Sequence, residues 1–272
     1  MKLLASIATV FVLACASSPG TRAPKSPQPA PAATPAPLLP APLLPAAAAA
    51  RAARDSAALE RLRNDWGGLR RYRTANDSVG LPVAGEDRVV FYGNSITDSW
   101  AKYFPTMFPG QPYIGRGISG QTTPQMLVRF HQDVVALRPR VVVLLAGTND
   151  IAGNTGPSTL EMIEDNISAM TEIARAHGIR VVLSSVLPVY DYPWKPGLEP
   201  APKIIALNQW IKAYADSVGE TYLDYHSAMV DARGGLPPAL SADGVHPNEA
   251  GYRVMAPLAI AAIERALARR RQ

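Results

Sequence analysis

From residue 82 to the end of the chain, continuous apolar runs alternate with stretches of helical periodicity. This alternation limits the possible folds more than any other feature. "RVVFY", "RVVVLLAG", "IRVVLSSVLP" and "TYLDY" are short, rich in β-branched or aromatic residues, and lack the in–out polar alternation of a half-exposed strand, and "PYIGR" is a further strand end. Between and after them lie "TPQMLVRFHQDVVAL", "STLEMIEDNISAMTEIARAHG", "PKIIALNQWIKAYADSVG" and "NEAGYRVMAPLAIAAIERALARR", each with apolar residues at three- and four-residue steps. Strands apolar on both faces need cover on both sides. The order therefore implies an α/β fold, a parallel sheet sandwiched by helices. Sites in such sheets lie at the carboxyl ends of the strands.

The first eighty residues are of another kind. "MKLLASIATVFVLACA" (1–16) carries one Lys and then an apolar run too short to span a bilayer, the pattern of an export signal. Cys15, the only cysteine of the chain, closes that run and resembles the modified residue of a bacterial lipobox, so a lipidated N-terminus is expected. Ordinary cleavage at the A-x-A-like "ACA" is the alternative. Residues 17–50 are Pro- and Ala-rich and read as an extended tether. Residues 51–82 read as a helix lying on the outside of the domain: Leu59, Leu62, Trp66, Leu69 and Tyr72 would form its apolar face, with Gly67 and Gly68 weakening its middle. The domain proper is then 83–272, a normal single-domain size.

Charge follows the same division. Residues 1–82 hold ten Lys or Arg and four Asp or Glu, or +6, against +5 for the whole chain, which leaves about −1 for the domain. A basic face for nucleic acid is therefore not expected, and membrane association is expected only through the N-terminus. With its one cysteine in the leader, the mature domain has neither disulfides nor thiol chemistry. His131, His177, His226 and His246 lack the spacing of metal ligands, and no cofactor is expected.

Four clusters fall at the strand ends or before the last helix: Gly93-Asn94-Ser95, Gly117-Ile118-Ser119-Gly120, Gly147-Thr148-Asn149-Asp150, and Asp243-Gly244-Val245-His246-Pro247. Each has an ordinary reading. Ser95 could cap a helix, Gly120 and Asn149 could serve turns, and Asp243-Gly244 is a turn before Pro247 at a first helical position. Those readings do not explain the set. A serine hydroxyl is a weak nucleophile without a base, a His base works best with a carboxylate on its other nitrogen, and a tetrahedral oxyanion needs donors. Ser95, His246 and Asp243 fit the first three roles. The Ser95 and Gly120 N–H groups and the Asn149 amide could serve as donors.

The blocks "GNSIT", "GISGQT", "GTND" and "DGVHP", in this order, resemble the SGNH or GDSL-like hydrolases, from about Val89 to the C-terminus. Within that family the chain is similar to the subgroup of platelet-activating-factor acetylhydrolase subunits and bacterial acylhydrolases. The resemblance implies a flavodoxin-like three-layer α/β/α sandwich with a five-stranded parallel sheet. It implies Ser95 as nucleophile, His246 as base, Asp243 as its partner, and Ser95, Gly120 and Asn149 as oxyanion donors. Asn94 stands where the family usually has Asp.

The loop "PVYDYPWKPGLEPAP" follows a strand end, and Tyr190, Tyr192 and Trp194 in it offer flat faces for a sugar. No long Gly-hinged apolar insertion of the lipase-lid kind is visible. The expected activity is a serine esterase removing a short acyl group, acetyl above all, from a carbohydrate or other polar alcohol in the cell envelope. The alternatives are a lysophospholipase, thioesterase or arylesterase, or a non-catalytic glycan-binding surface lipoprotein.

Overall fold

The computed structural model describes residues 45–269, and Ala49–Gln272 form one compact unit. The export signal, Cys15 and most of the tether lie outside the described residues. In chain order the elements are α1 (Pro45–Asn64), α2 (Arg73–Val79), β1 (Val89–Gly93), α3 (Ser95–Trp100), α4 (Phe104–Met107), β2 (Tyr113–Gly117), α5 (Thr123–Asp133), β3 (Val141–Leu145), α6 (Thr148–Ile151), α7 (Leu160–Ala176), β4 (Arg180–Ser184), α8 (Ala201–Val218), β5 (Thr221–Leu223), α9 (His226–Met229) and α10 (Glu249–Ala268).

The five strands form one all-parallel sheet in the order β2-β1-β3-β4-β5. The chain leaves β1 toward one edge to make β2, then returns to the other side of β1 for β3. The strand order therefore reverses between β1 and β3, and a crevice opens there at the carboxyl ends. Alternate residues feed two cores. Val90, Tyr92, Val142, Leu144, Val181 and Leu183 face α5, α7 and α8, while Val89, Phe91, Val143, Leu145 and Val182 face α3, α4 and α10. Burial on both faces is why these runs are continuously apolar. The architecture is the three-layer α/β/α sandwich.

Two expectations for the N-terminal stretch need correction. Residues 45–50 are not extended tether but the first turns of α1, because Ala has the highest helix propensity and Pro45 takes the first helical position. The helix expected to run through 51–82 stops at Asn64 and resumes at Arg73. Gly68 adopts φ +69°, a left-handed conformation that ends a helix cheaply only at glycine. The proposed apolar face does not pack as one: Tyr72 is buried, while Leu59, Trp66 and Leu69 are exposed, and the Leu62 side chain lies outside what is described. Among the described residues no helix is long and apolar enough to cross a membrane.

Candidate active site

The crevice between β1 and β3 gathers the four sequence blocks. β1 ends at Gly93, whose added Cβ would lie 2.7 Å from the Leu145 carbonyl oxygen; at Gly117 of β2 it would lie 2.6 Å from the Asn94 carbonyl oxygen. Only glycine allows the chain to turn so tightly from β1 into α3. Asn94, not Ser95, caps this helix. Its Oδ1 accepts from the Ile96 N–H at 3.1 Å, a task Asn performs as well as Asp. Ser95 is thereby left at the first helical position, where its own N–H has no intrahelical partner.

The Ser95 Oγ lies 2.9 Å from His246 Nε2, and His246 Nδ1 lies 2.7 Å from Asp243 Oδ2. The sequence separation between Ser95 and His246 is 151 residues, whereas Asp243 and His246 share one tight loop. The second carboxylate oxygen of Asp243 accepts from the His246 N–H (2.8 Å), the Val245 N–H (2.9 Å) and the Ser241 hydroxyl (3.1 Å). Burial raises the Asp243 pKa, but the His246 N–H, the imidazole and the Val245 N–H outweigh it and hold the carboxyl at about 2. Asp243 is thus a fixed anion beside the ring, held by four donors.

Asn149 lies in α6 just beyond β3 and is buried. Its Nδ2 donates to the Gln121 carbonyl at 2.8 Å. Gly120 is exposed at the same rim with φ +81°, its carbonyl accepting from Asn154 Nδ2 at 3.2 Å. Of the aromatic loop residues, Trp194 is 47% exposed and its ring centroid is 6.2 Å from that of His246. Tyr190 is exposed with the Arg233 guanidinium 5.4 Å over its ring. Tyr192 corrects the sequence expectation. It is fully buried, with its hydroxyl 2.9 Å from both Thr148 oxygens, so it is a strut for α6 and offers no face to a substrate.

Sequence reasoning missed two supports. Arg129 is fully buried beneath the crevice; it donates to the Gly93 carbonyl (2.9 Å), the Arg116 carbonyl (3.0 Å), Gln121 Oε1 (2.5 Å) and Asp133 (3.0 Å). It ties the ends of β1 and β2 to the Gly120 loop. Asp150 accepts from the Thr123 N–H at 2.9 Å and its hydroxyl at 2.6 Å, fastening the start of α5 to α6, and burial pushes its carboxyl up to about 6. The signal for Arg129 was in the sequence: it shares the i, i+3, i+4, i+7 face of α5 with Met126, Phe130 and Asp133, and a charged pair on an apolar face must be partnered inside.

A cavity of about 1060 Å³ reaches Gly120 from the side of Trp66 and Arg71. A separate one of about 910 Å³ lies at the amino ends of β3 and β4, lined by Arg138, Arg140 and Arg180, away from Ser95. Among the described residues no group of three His, Cys, Asp or Glu could hold a metal.

Residues 91–254 match the GDSL-like Lipase/Acylhydrolase family. The solved structure of a GDSL-like lipase from Bacteroides thetaiotaomicron is 44% identical, with 74% of this chain and 100% of that chain covered and a TM-score of 0.71. An acetylxylan esterase of Xylanibacter ruminicola is 28% identical over 68% of this chain and 45% of its own length. The lipoprotein YqeF of Bacillus subtilis is 27% identical over 42% of this chain and 54% of its own length. The chain thus spans about half the length of these two curated relatives. With a three-layer sandwich, the four ordered blocks at its switch point and a family match over more than half its length, this chain belongs to the GDSL-like lipase/acylhydrolase family.

Proposed function

We propose that the protein is a serine esterase that removes a short acyl group, acetyl above all, from a carbohydrate or similar polar alcohol. The carrying observation is the relay Ser95 Oγ–His246 Nε2–Asp243, with distances of 2.9 and 2.7 Å, set at a helix start on the carboxyl edge of the sheet.

In this reading His246 Nε2 takes the Ser95 proton as Oγ bonds to the ester carbonyl carbon, and the carbonyl electron pair moves onto oxygen. The Ser95 N–H, the Gly120 N–H and the Asn149 amide receive that oxyanion. His246 then returns the proton to the alcohol oxygen as the C–O bond breaks, leaving acyl-Ser95. Water repeats the sequence and releases the acid. Asp243 stays ionised throughout and stabilises the imidazolium. The carbohydrate reading is supported by Trp194 beside His246, where the departing alcohol must lie, and by the likeness to an acetylxylan esterase. The likeness to a lipoprotein supports export and anchoring through Cys15. A series of p-nitrophenyl esters tests the acyl preference. A steep preference for acetate is expected, and activity that holds at eight carbons would replace this reading with a lipid esterase.

A further inference from the structure

Residues 65–72, read from sequence as part of an external helix, form instead a strap laid against the Gly120 loop. The Asp65 carboxylate accepts from the Leu69 and Arg70 N–H groups at 2.8 and 2.9 Å and closes the strap into a turn. Gln125 Nε2 donates to the Trp66 carbonyl at 2.8 Å, Gln121 Nε2 to the Gly67 carbonyl at 2.9 Å, and the Tyr72 hydroxyl to the Gly117 carbonyl. Arg71 pairs at 3.5 Å with Asp98, which also accepts from the Ser119 hydroxyl at 2.8 Å. A Cβ on Gly67 would lie 2.9 Å from Val128 Cγ1, and one on Gly68 2.9 Å from Gln121 Nε2. The glycine pair is thus what lets the strap lie so close.

The strap, the loop and the end of α1 line this open cleft of about 1060 Å³, with Trp66, Arg70, Arg71, Ser119, Gly120 and Asn154 among its walls. That is at the upper end of the roughly 300–1,000 Å³ of ligand sites, and far more than an acetyl group needs. Trp66 is 42% exposed there. Trp194 is 47% exposed beside His246 and does not line this cavity. Two open indoles therefore stand apart, one on the leaving-group side and one beyond the Gly120 rim. The lining is mostly apolar with Arg70, Arg71 and Asp98 set in it; an acyl chain would match the apolar part but give those charged groups no hydrogen bond. A sugar chain stacks its C–H face on an indole and gives its hydroxyls to those groups.

We propose that this cavity is a remote glycan subsite: a polysaccharide whose acetyl ester sits at Ser95 runs from Trp194 past Gly120 to Trp66. This rests on the acetyl-glycan reading of the site. The test uses the full chain, with acetylated xylo-oligosaccharides of one to six units, p-nitrophenyl acetate and p-nitrophenyl octanoate. For wild type, kcat/KM should rise with sugar length. Trp66→Ala should lower the ratio of kcat/KM on the hexamer to that on p-nitrophenyl acetate about tenfold, mainly through KM, at an unaltered melting temperature, and Trp66→Phe should restore part of it. A Trp66→Ala protein that keeps the wild-type length dependence overturns the subsite while leaving the esterase reading intact. A selective loss on octanoate overturns it in favour of an acyl channel. Wild-type enzyme that cleaves p-nitrophenyl acetate but no acetylated sugar overturns both the subsite and the glycan reading.

Discussion

The Asn149 side-chain amide donates to the Gln121 carbonyl at 2.8 Å, which fixes the amide plane and leaves its second N–H for another acceptor. If that acceptor is the oxyanion, Asn149→Ala should cut kcat by roughly 10²–10³ with little change in KM, because charge appears on the oxygen only as the hydroxyl adds. Loss of the Gln121 bond alone predicts a lower melting temperature with near-normal kcat. Both quantities measured on one sample separate the two roles, and a destabilised but fully active enzyme would remove Asn149 from the oxyanion hole.

Ser95→Ala and His246→Ala should each abolish ester hydrolysis in a folded protein. Asp243→Asn would be mild only if other groups also held the ring, and among the described residues Asp243 Oδ2 is the one partner of His246 Nδ1. An amide there presents N–H to a nitrogen that must itself donate, so a loss of roughly 10³–10⁴ in kcat is expected. Near-wild-type turnover in any of the three would refute the assigned role.

Asp150 makes stability depend on pH. Its carboxyl titrates at 3.8 when solvated and at about 6 when folded. Below about pH 3 both states are protonated and the group contributes nothing. As pH rises, the unfolded chain ionises first, so stability falls between about pH 4 and 6, by about 3 kcal/mol in all. Asp150→Asn keeps an oxygen for Thr123 and should flatten that stretch of the stability curve. Urea titrations at pH 4, 5, 6 and 7 measure it, and an equally steep decline in the variant would show that another group is responsible.

Arg129→Met leaves Asp133 without its cation and removes the bonds Arg129 donates to the Gly93 and Arg116 carbonyls and to Gln121 Oε1. The expected loss is about 3–5 kcal/mol, read from the urea midpoint. Because Arg129 anchors the ends of β1 and β2, kcat in the folded fraction should fall as well. A variant with wild-type kcat would mean the pair serves stability alone.

Cys15→Ser should move the protein from the membrane fraction to the soluble fraction of a bacterial host with its esterase kinetics unchanged. If labelled fatty acid never enters the wild-type chain, ordinary signal cleavage is the correct reading.

Much of the fold was legible in one dimension because burial on both faces of a sheet leaves a direct trace: the continuous apolar runs of β1, β3 and β4 with helical patterns among them. The Asp243–His246 pair was legible for a similar reason, since the two lie three positions apart in one loop. Ser95 could be placed at a strand end, yet its 2.9 Å approach to His246 spans 151 positions and depends on the order β2-β1-β3-β4-β5, which no local pattern encodes. Local sequence also misled. Tyr192 looks like a platform beside Trp194, but its hydroxyl finds Thr148 inside and draws the ring out of solvent. Leu59, Trp66 and Leu69 have helical spacing, but Gly67 and Gly68 break the helix, and the loop carrying Gly120 and Gln121 claims the freed backbone. Sequence by itself determined which residues could be buried and which carried reactive groups, because hydrophobicity and chemistry belong to side chains. Tertiary structure decided which of those groups meet, which aromatics stay open, and that Trp66–Tyr72 walls the cleft, because such contacts join positions far apart in the chain.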